Sequence, residues 1–157
     1  MKQSVTRRLV QACDEAFLFD LYTSTRAQEL EVLPWDEDQR RSFLKMQFFA
    51  QNQDYQRRFP EGVHELLICG RLPAGRLYVA RSEEEIRILD ISLMPEYRNH
   101  GIGGALIREL LNEASQTKLP LRIYLERDNS YRKVFDQFGF ATVDDIGSHL
   151  LLEWQGR

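Results

Sequence analysis

The stretch LDISLMPEYRNHGIGGALIREL, residues 89–110, changes its pattern twice within a few turns of chain. It opens as an apolar strand-like run and breaks at Pro95. It then passes three glycines, Gly101, Gly103 and Gly104, and continues with Leu106, Ile107, Leu110, Leu111 and Ala114 at helical spacing. Glycines in such a turn permit positive φ, let backbone N–H groups converge and let a bulky ligand approach the chain. A helix starting near Gly104 adds its own unpaired N–H groups and the positive end of its dipole, and Arg98 adds a full charge. Arg98, Asn99, His100, Gly101, Ile102, Gly103 and Gly104 are therefore candidates for a metal-free cradle that holds a pyrophosphate. A dinucleotide fingerprint is excluded by glycine spacing and by position late in the chain, and a nucleotide P-loop by the absence of a lysine after the glycines.

Outward from this stretch the periodicity sorts the chain. Upstream, VHELLICG, GRLYVAR and EIRILDISLMP are three apolar runs separated by RLPAG and SEEE, which predicts an antiparallel meander. Before them a first strand is expected over roughly Thr6 to Gln11, with Asp14 as the N-cap of a helix over Glu15 to Glu29 that buries Phe17, Leu18, Leu21 and Tyr22. A second helix follows LPWDEDQ with a broad apolar face of Phe43, Leu44, Met46, Phe48 and Phe49. Downstream, LPLRIYLE predicts a strand, SYRKVFDQFGF a short helix ended by Gly139, and ATVDD with SHLLLEW a closing hairpin. The expected order is β-α-α-β-β-β-α-β-α-β-β, without repeat, low-complexity segment or linker.

Composition bounds the function. With 157 residues, 43% hydrophobic and 29% charged, the chain suits one domain over residues 1–157. A net charge of -3 provides no global field for nucleic acid or an anionic membrane. Apolar runs fall short of the roughly 20 residues of a membrane span, and MKQSVTRRLVQACDE has no secretion-signal core, so a cytoplasmic location is expected. Cys13 and Cys69 stand in no metal-like spacing, and neither a disulfide framework nor a metal site is expected.

Strand, Pro-Glu-Tyr turn and Arg98-Asn99-His100-Gly101-Ile102-Gly103 opening a helix resemble the acetyl-CoA-binding signature of the Gcn5-related N-acetyltransferase (GNAT) family. With the element order and NSYRKVFDQFGF, the resemblance covers nearly the whole chain. It implies an α+β fold (α/β by some schemes) in three layers: a mixed, mostly antiparallel sheet of about seven strands with helices on both faces. It implies acetyl-CoA as cofactor and, as partners, an amine acceptor that is a small molecule or peptide, and a second copy of the chain, since relatives are often homodimers. The implied reaction is N-acetyl transfer to a primary amine by direct attack.

The resemblance carries roles to particular residues. Ile91, Ser92 and Leu93 match the strand whose backbone pairs with the pantetheine arm, and the Leu93 N–H matches the group that polarises the thioester carbonyl. Asp90 and Glu126 match places where relatives carry the base that takes the amine proton. Each also has a structural alternative: Asp90 facing solvent or paired with Arg87, Glu126 paired with Arg122 or Arg127. Asn129 matches a residue that bonds the pantetheine amides, or else it caps the next helix. Arg132 and Lys133 are expected near the cofactor phosphates.

The chain departs from the family at the proton donor, where the usual tyrosine is Phe135. Phe135 is then expected to pack on the pantetheine arm. Tyr131, one turn earlier on the same helix face, either supplies the hydroxyl or packs. Alternatively the thiolate, whose parent thiol has a pKa near ~8.5, leaves unaided. The acceptor wall expected from the family comprises Glu29, Glu31, Trp35, Tyr55 and His149, with Trp35 otherwise a staple between the first two helices. Phe135 also admits a second reading, an acyl-CoA sensor or interaction domain with little or no catalysis.

Overall fold

The computed structural model describes residues 4–127, 129 and 131–155, with the backbone alone at Gln28 and Glu29. The expected order of elements is the observed one. Strands β1 (Val5–Leu9), β2 (Val63–Cys69), β3 (Leu72–Arg81), β4 (Ile86–Leu93), β5 (Leu121–Glu126), β6 (Ala141–Asp145) and β7 (His149–Trp154) alternate with helices α1 (Glu15–Glu31), α2 (Glu37–Arg58), α3 (Ile102–Thr117) and α4 (Arg132–Gln137). The seven strands form one sheet in the order β1-β2-β3-β4-β5-β7-β6. Every neighbouring pair is antiparallel except β4 with β5, which the α3 crossover makes parallel.

Side-chain alternation divides the core between the two faces. Leu66 on β2 joins Leu18, Leu21, Tyr22, Leu44 and Phe48 of α1 and α2, while adjacent Leu67 joins Leu106, Ile107, Leu110 and Ala114 of α3 and Phe135 of α4. The apolar face of α2 is narrower than its sequence predicts. Leu44 and Phe48, four apart, are buried, whereas Met46 is 62% and Phe49 46% exposed because they point round the helix from that stripe. The carboxylate of Asp36 caps α2 by accepting from the Gln39 N–H at 2.8 Å.

Three local expectations shift. β1 ends at Leu9, and the Asp14 carboxylate, at the head of α1, does not cap it: it accepts from Arg8 and from the Gln11 N–H instead. β3 begins inside RLPAG, because Gly70 at φ 66° lets Gly70 and Arg71 close the β2–β3 hairpin on the pair Cys69 and Leu72. Pro73 is tolerated where the ladder slips, opposite Ile68.

Candidate active site

The site is made by β4 parting from β5. The two strands pair only at Ile86–Leu121, Arg87–Arg122 and Ile88–Ile123. At the next residue β4 carries a bulge: Tyr78 pairs with Asp90 and Val79 with Ile88, which leaves Leu89 unpaired in the ladder. The Tyr55 hydroxyl donates to the freed Leu89 carbonyl at 2.9 Å. The bulge turns Leu89 and Asp90, neighbours in sequence, to the same α1/α2 face of the sheet, where Leu89 packs beside Tyr55 and Asp90 meets Arg76.

Beyond the bulge β3 and β4 run close. Met94 donates to the Ala74 carbonyl at 2.7 Å, and with the register this makes Arg76–Ser92 and Tyr78–Asp90 the hydrogen-bonded pairs. The peptide groups of Ser92 therefore face β3, while those of Ile91 and Leu93 face the opening toward β5. Of the three residues expected along the pantetheine arm, Ser92 is thus corrected. Its backbone is spent on β3 and its hydroxyl donates to Asp90, 2.9 Å from both carboxylate oxygens. A Cβ on Gly75 would stand 2.1 Å from the Ser92 carbonyl oxygen, so the strands approach this closely only because residue 75 is glycine.

The loop after β4 ends in Gly101 at φ 83°, which caps α3, and Asn99 is also left-handed at φ 64°. Arg98 donates to Pro95, and the next backbone donor to a backbone carbonyl is Ala105, to Gly101. Among the described residues the six N–H groups of Asn99, His100, Gly101, Ile102, Gly103 and Gly104 have no acceptor, and the last three form the first turn of α3, at the positive end of its dipole. This is the geometry an oxyanion needs. The Arg98 side chain does not join it: Nε donates to the Leu93 carbonyl at 2.9 Å and Nη2 to the Ser24 hydroxyl at 3.4 Å, bracing the end of β4 against α1. The His100 side chain is exposed.

Both expected carboxylates are ion-paired, with partners other than those anticipated. Asp90 takes the Arg76 Nε at 2.5 Å, while Arg87 pairs with Glu85. Glu126, at the open end of β5, meets Arg26 of α1 at 3.1 Å, while Arg122 pairs with Glu153 and Arg127 with Asp145. Tyr131 packs against the α3 side of the core. Burial pushes its phenol pKa up, the Arg98 charge opposes the shift and the Asp90 charge adds to it, so the hydroxyl stays protonated.

Other expected site residues fall elsewhere. Phe135 is fully buried and meets Phe140 edge-on at 5.0 Å; it is a core residue, since a ring without a polar group gains most from complete burial. Asn129 spends its side-chain oxygen on the Tyr131 N–H at 2.8 Å, shaping the turn into α4. The Asp145 carboxyl is held low first by Arg127 and the Gly147 N–H, the Arg132 charge adding least, and Lys133 is exposed. The acceptor wall is not one surface: Trp35 packs edge-on against Phe43 of α2, and Tyr55 lies three turns further along that helix, roughly 18 Å beyond Phe43. Glu31 is exposed, His149 stands opposite Glu126 in the β5–β7 register, and the Glu29 side chain lies outside the described residues.

Arg76 was missed because GRLYVAR reads as one apolar run. A lone Arg in an otherwise apolar strand run, in a chain whose second helix ends rich in Gln and Asn, is the signal that marks it.

A family model described as an acetyltransferase (GNAT) domain matches residues 33–150. The chain belongs to the GNAT acetyltransferase family. Acetyl-CoA is the acetyl donor of this family, and the free loop amides and the parted strands are a fitting place for it. In structure the chain is similar to the PaiA N-acetyltransferase of Thermoplasma acidophilum, solved in complex with coenzyme A, at TM-score 0.71 and 18% identity over 97% of this chain and 99% of that one. It is also similar to an acetyltransferase of Thermus thermophilus, at 0.68 and 16% over 98% of each chain. A third likeness is the ribosomal-protein-S18-alanine N-acetyltransferase of Escherichia coli, at 0.63 and 15% over 97% and 94%. Among curated proteins none matches the chain. No helix among the described residues is long and apolar enough to cross a membrane.

Proposed function

We propose that this GNAT protein transfers the acetyl group of acetyl-CoA directly to a primary amine of a small molecule or peptide. The observation that carries the reading is one opening on β4: the outward peptide groups of Ile91 and Leu93 lead straight to the six unpaired amides of Asn99 to Gly104. Bound there, the cofactor supplies an activated thioester. The loop amides hold its pyrophosphate, and the peptide groups of Ile91 hold its amide-bearing arm as another strand would, the Leu93 carbonyl being taken by Arg98. The Leu93 N–H donates to the carbonyl under attack and stabilises the charge that develops on its oxygen.

Asp90 and Glu126 supply the two carboxylates for an ammonium approaching from the α1/α2 side. Asp90, on the strand that carries Leu93, accepts the amine proton directly or through water, and Glu126 helps hold the cation. The Tyr131 hydroxyl, kept protonated by burial, donates to the departing sulfur. The test is to incubate the protein with acetyl-CoA and a broad panel of amines while following free thiol and acetylated product. Turnover above hydrolysis with any amine is the expected result. Tight acetyl-CoA binding with no acceptor turnover would replace transfer by sensing.

A further inference from the structure

We infer that Arg76 of β3 is a positioning residue for the proposed transfer: it locks the Asp90 carboxylate, and with it the bulged end of β4, against α2. The inference rests on the acetyl-transfer reading and adds to it a residue that lies behind the reacting groups.

Arg76 is 3% exposed, yet every edge of its guanidinium is engaged. Nε donates to Asp90 at 2.5 Å, Nη2 to the Gln51 side-chain oxygen at 3.0 Å and Nη1 to that of Asn52 at 3.3 Å. Nη1 also stands 3.4 Å from Nε2 of His64. Burial, with the Arg76 charge beside it, lowers the His64 pKa to about 4, so the imidazole is neutral and able to accept. One side chain thus ties β2, α2 and β4 together at the level where β4 leaves β5. Ser92 completes the fixation, bonding both Asp90 oxygens from the other side.

A planar fork of donors suits this task as an ammonium would not. A buried ion pair is weak support for stability, because apolar residues of similar volume commonly do as well. What the pair adds is geometry: Arg76 and the Ser92 hydroxyl hold both Asp90 oxygens in one orientation, and small misplacements of a reacting group cost large factors in rate.

The test compares Arg76→Met, Arg76→Lys, Asp90→Asn and the double variant Arg76→Met/Asp90→Asn in steady-state acetylation, with thermal midpoints and acetyl-CoA affinity measured alongside. The expected result is a kcat loss on the order of tenfold or more in Arg76→Met, with KM and Kd for acetyl-CoA unchanged because the loop amides are untouched. Arg76→Lys, which keeps a cation on Asp90, recovers part of the loss. The double variant is no slower than Asp90→Asn alone, because Arg76 acts through Asp90. Wild-type kcat in Arg76→Met, a loss that matches its unfolded fraction, or losses that multiply in the double variant would each overturn the positioning role. If Arg76→Met does not fold, Arg76→Lys and its double with Asp90→Asn decide by the same rule. A wild-type protein that acetylates no amine overturns the transfer reading itself and this role with it.

Discussion

The ring edge of Tyr131 lies 3.7 Å from the point where a Cβ on Gly103 would stand. The Tyr131 ring, at the head of α4, therefore lies beside the first turn of α3.

That distance separates two substitutions. Gly103→Ala adds a methyl in ordinary van der Waals contact, and coenzyme A affinity by calorimetry should stay within a few-fold of wild type. Gly103→Glu places a carboxylate among the free amides. Affinity should fall on the order of a hundredfold with the circular dichroism spectrum unchanged. Retained affinity would remove the pyrophosphate from this loop.

Tyr131→Phe keeps the ring and removes the proton. The expected loss is about a hundredfold in kcat, the lower range for general acids, with acetyl-CoA binding intact. A loss below about threefold in single-turnover measurements would mean that the thiolate departs unaided.

His64 sets a pH window for stability. Its folded pKa is about 4 against 6.5 when unfolded, chiefly through burial and secondly through the Arg76 charge. Between those values only the unfolded chain binds the proton, so the contribution is full above pH 6.5 and is lost as pH falls toward 4. Asp14, whose carboxyl is held at about 2 by Arg8 and the Gln11 N–H, loses its contribution in a separate window below 3.8. His64→Phe keeps a ring on Tyr78 but cannot titrate. From pH 7 to 5 the wild-type thermal midpoint should drop by roughly 5 °C more than that of the variant. Parallel curves would show that His64 does not titrate on unfolding.

Gly75→Ala tests the close approach of β3 and β4. A methyl 2.1 Å from the Ser92 carbonyl oxygen forces the strands apart at backbone, where no side chain can yield. Denaturant unfolding should show a loss of about 3 kcal/mol. A neutral substitution would mean that β4 has room to shift.

Element order and glycine loop were legible because each rests on local pattern: period two in the strands, Leu106 to Ala114 at helical spacing, and Gly101 where φ must be positive. The opening itself was not, because it depends on one unpaired residue, Leu89, in a strand whose letters look continuous. Asp90 and Glu126 were legible as carboxylates with pairing among their readings, but not with these partners, since Arg76 and Arg26 arrive from other strands and helices. Phe135 shows the opposite failure. Matched by position to a tyrosine, it was expected beside the cofactor arm, yet a side chain with nothing to hydrogen-bond went into the core.

The alternation of β4 beyond its bulge makes the strand a partition. Ile91 and Leu93 turn their peptide groups to the opening toward β5, while Asp90 and Ser92 turn their side chains to the α1/α2 face. On the proposed transfer, changes on the α1/α2 face act on the acceptor half of the reaction without rebuilding the cofactor's seat. One strand lets the two halves of the reaction diverge separately.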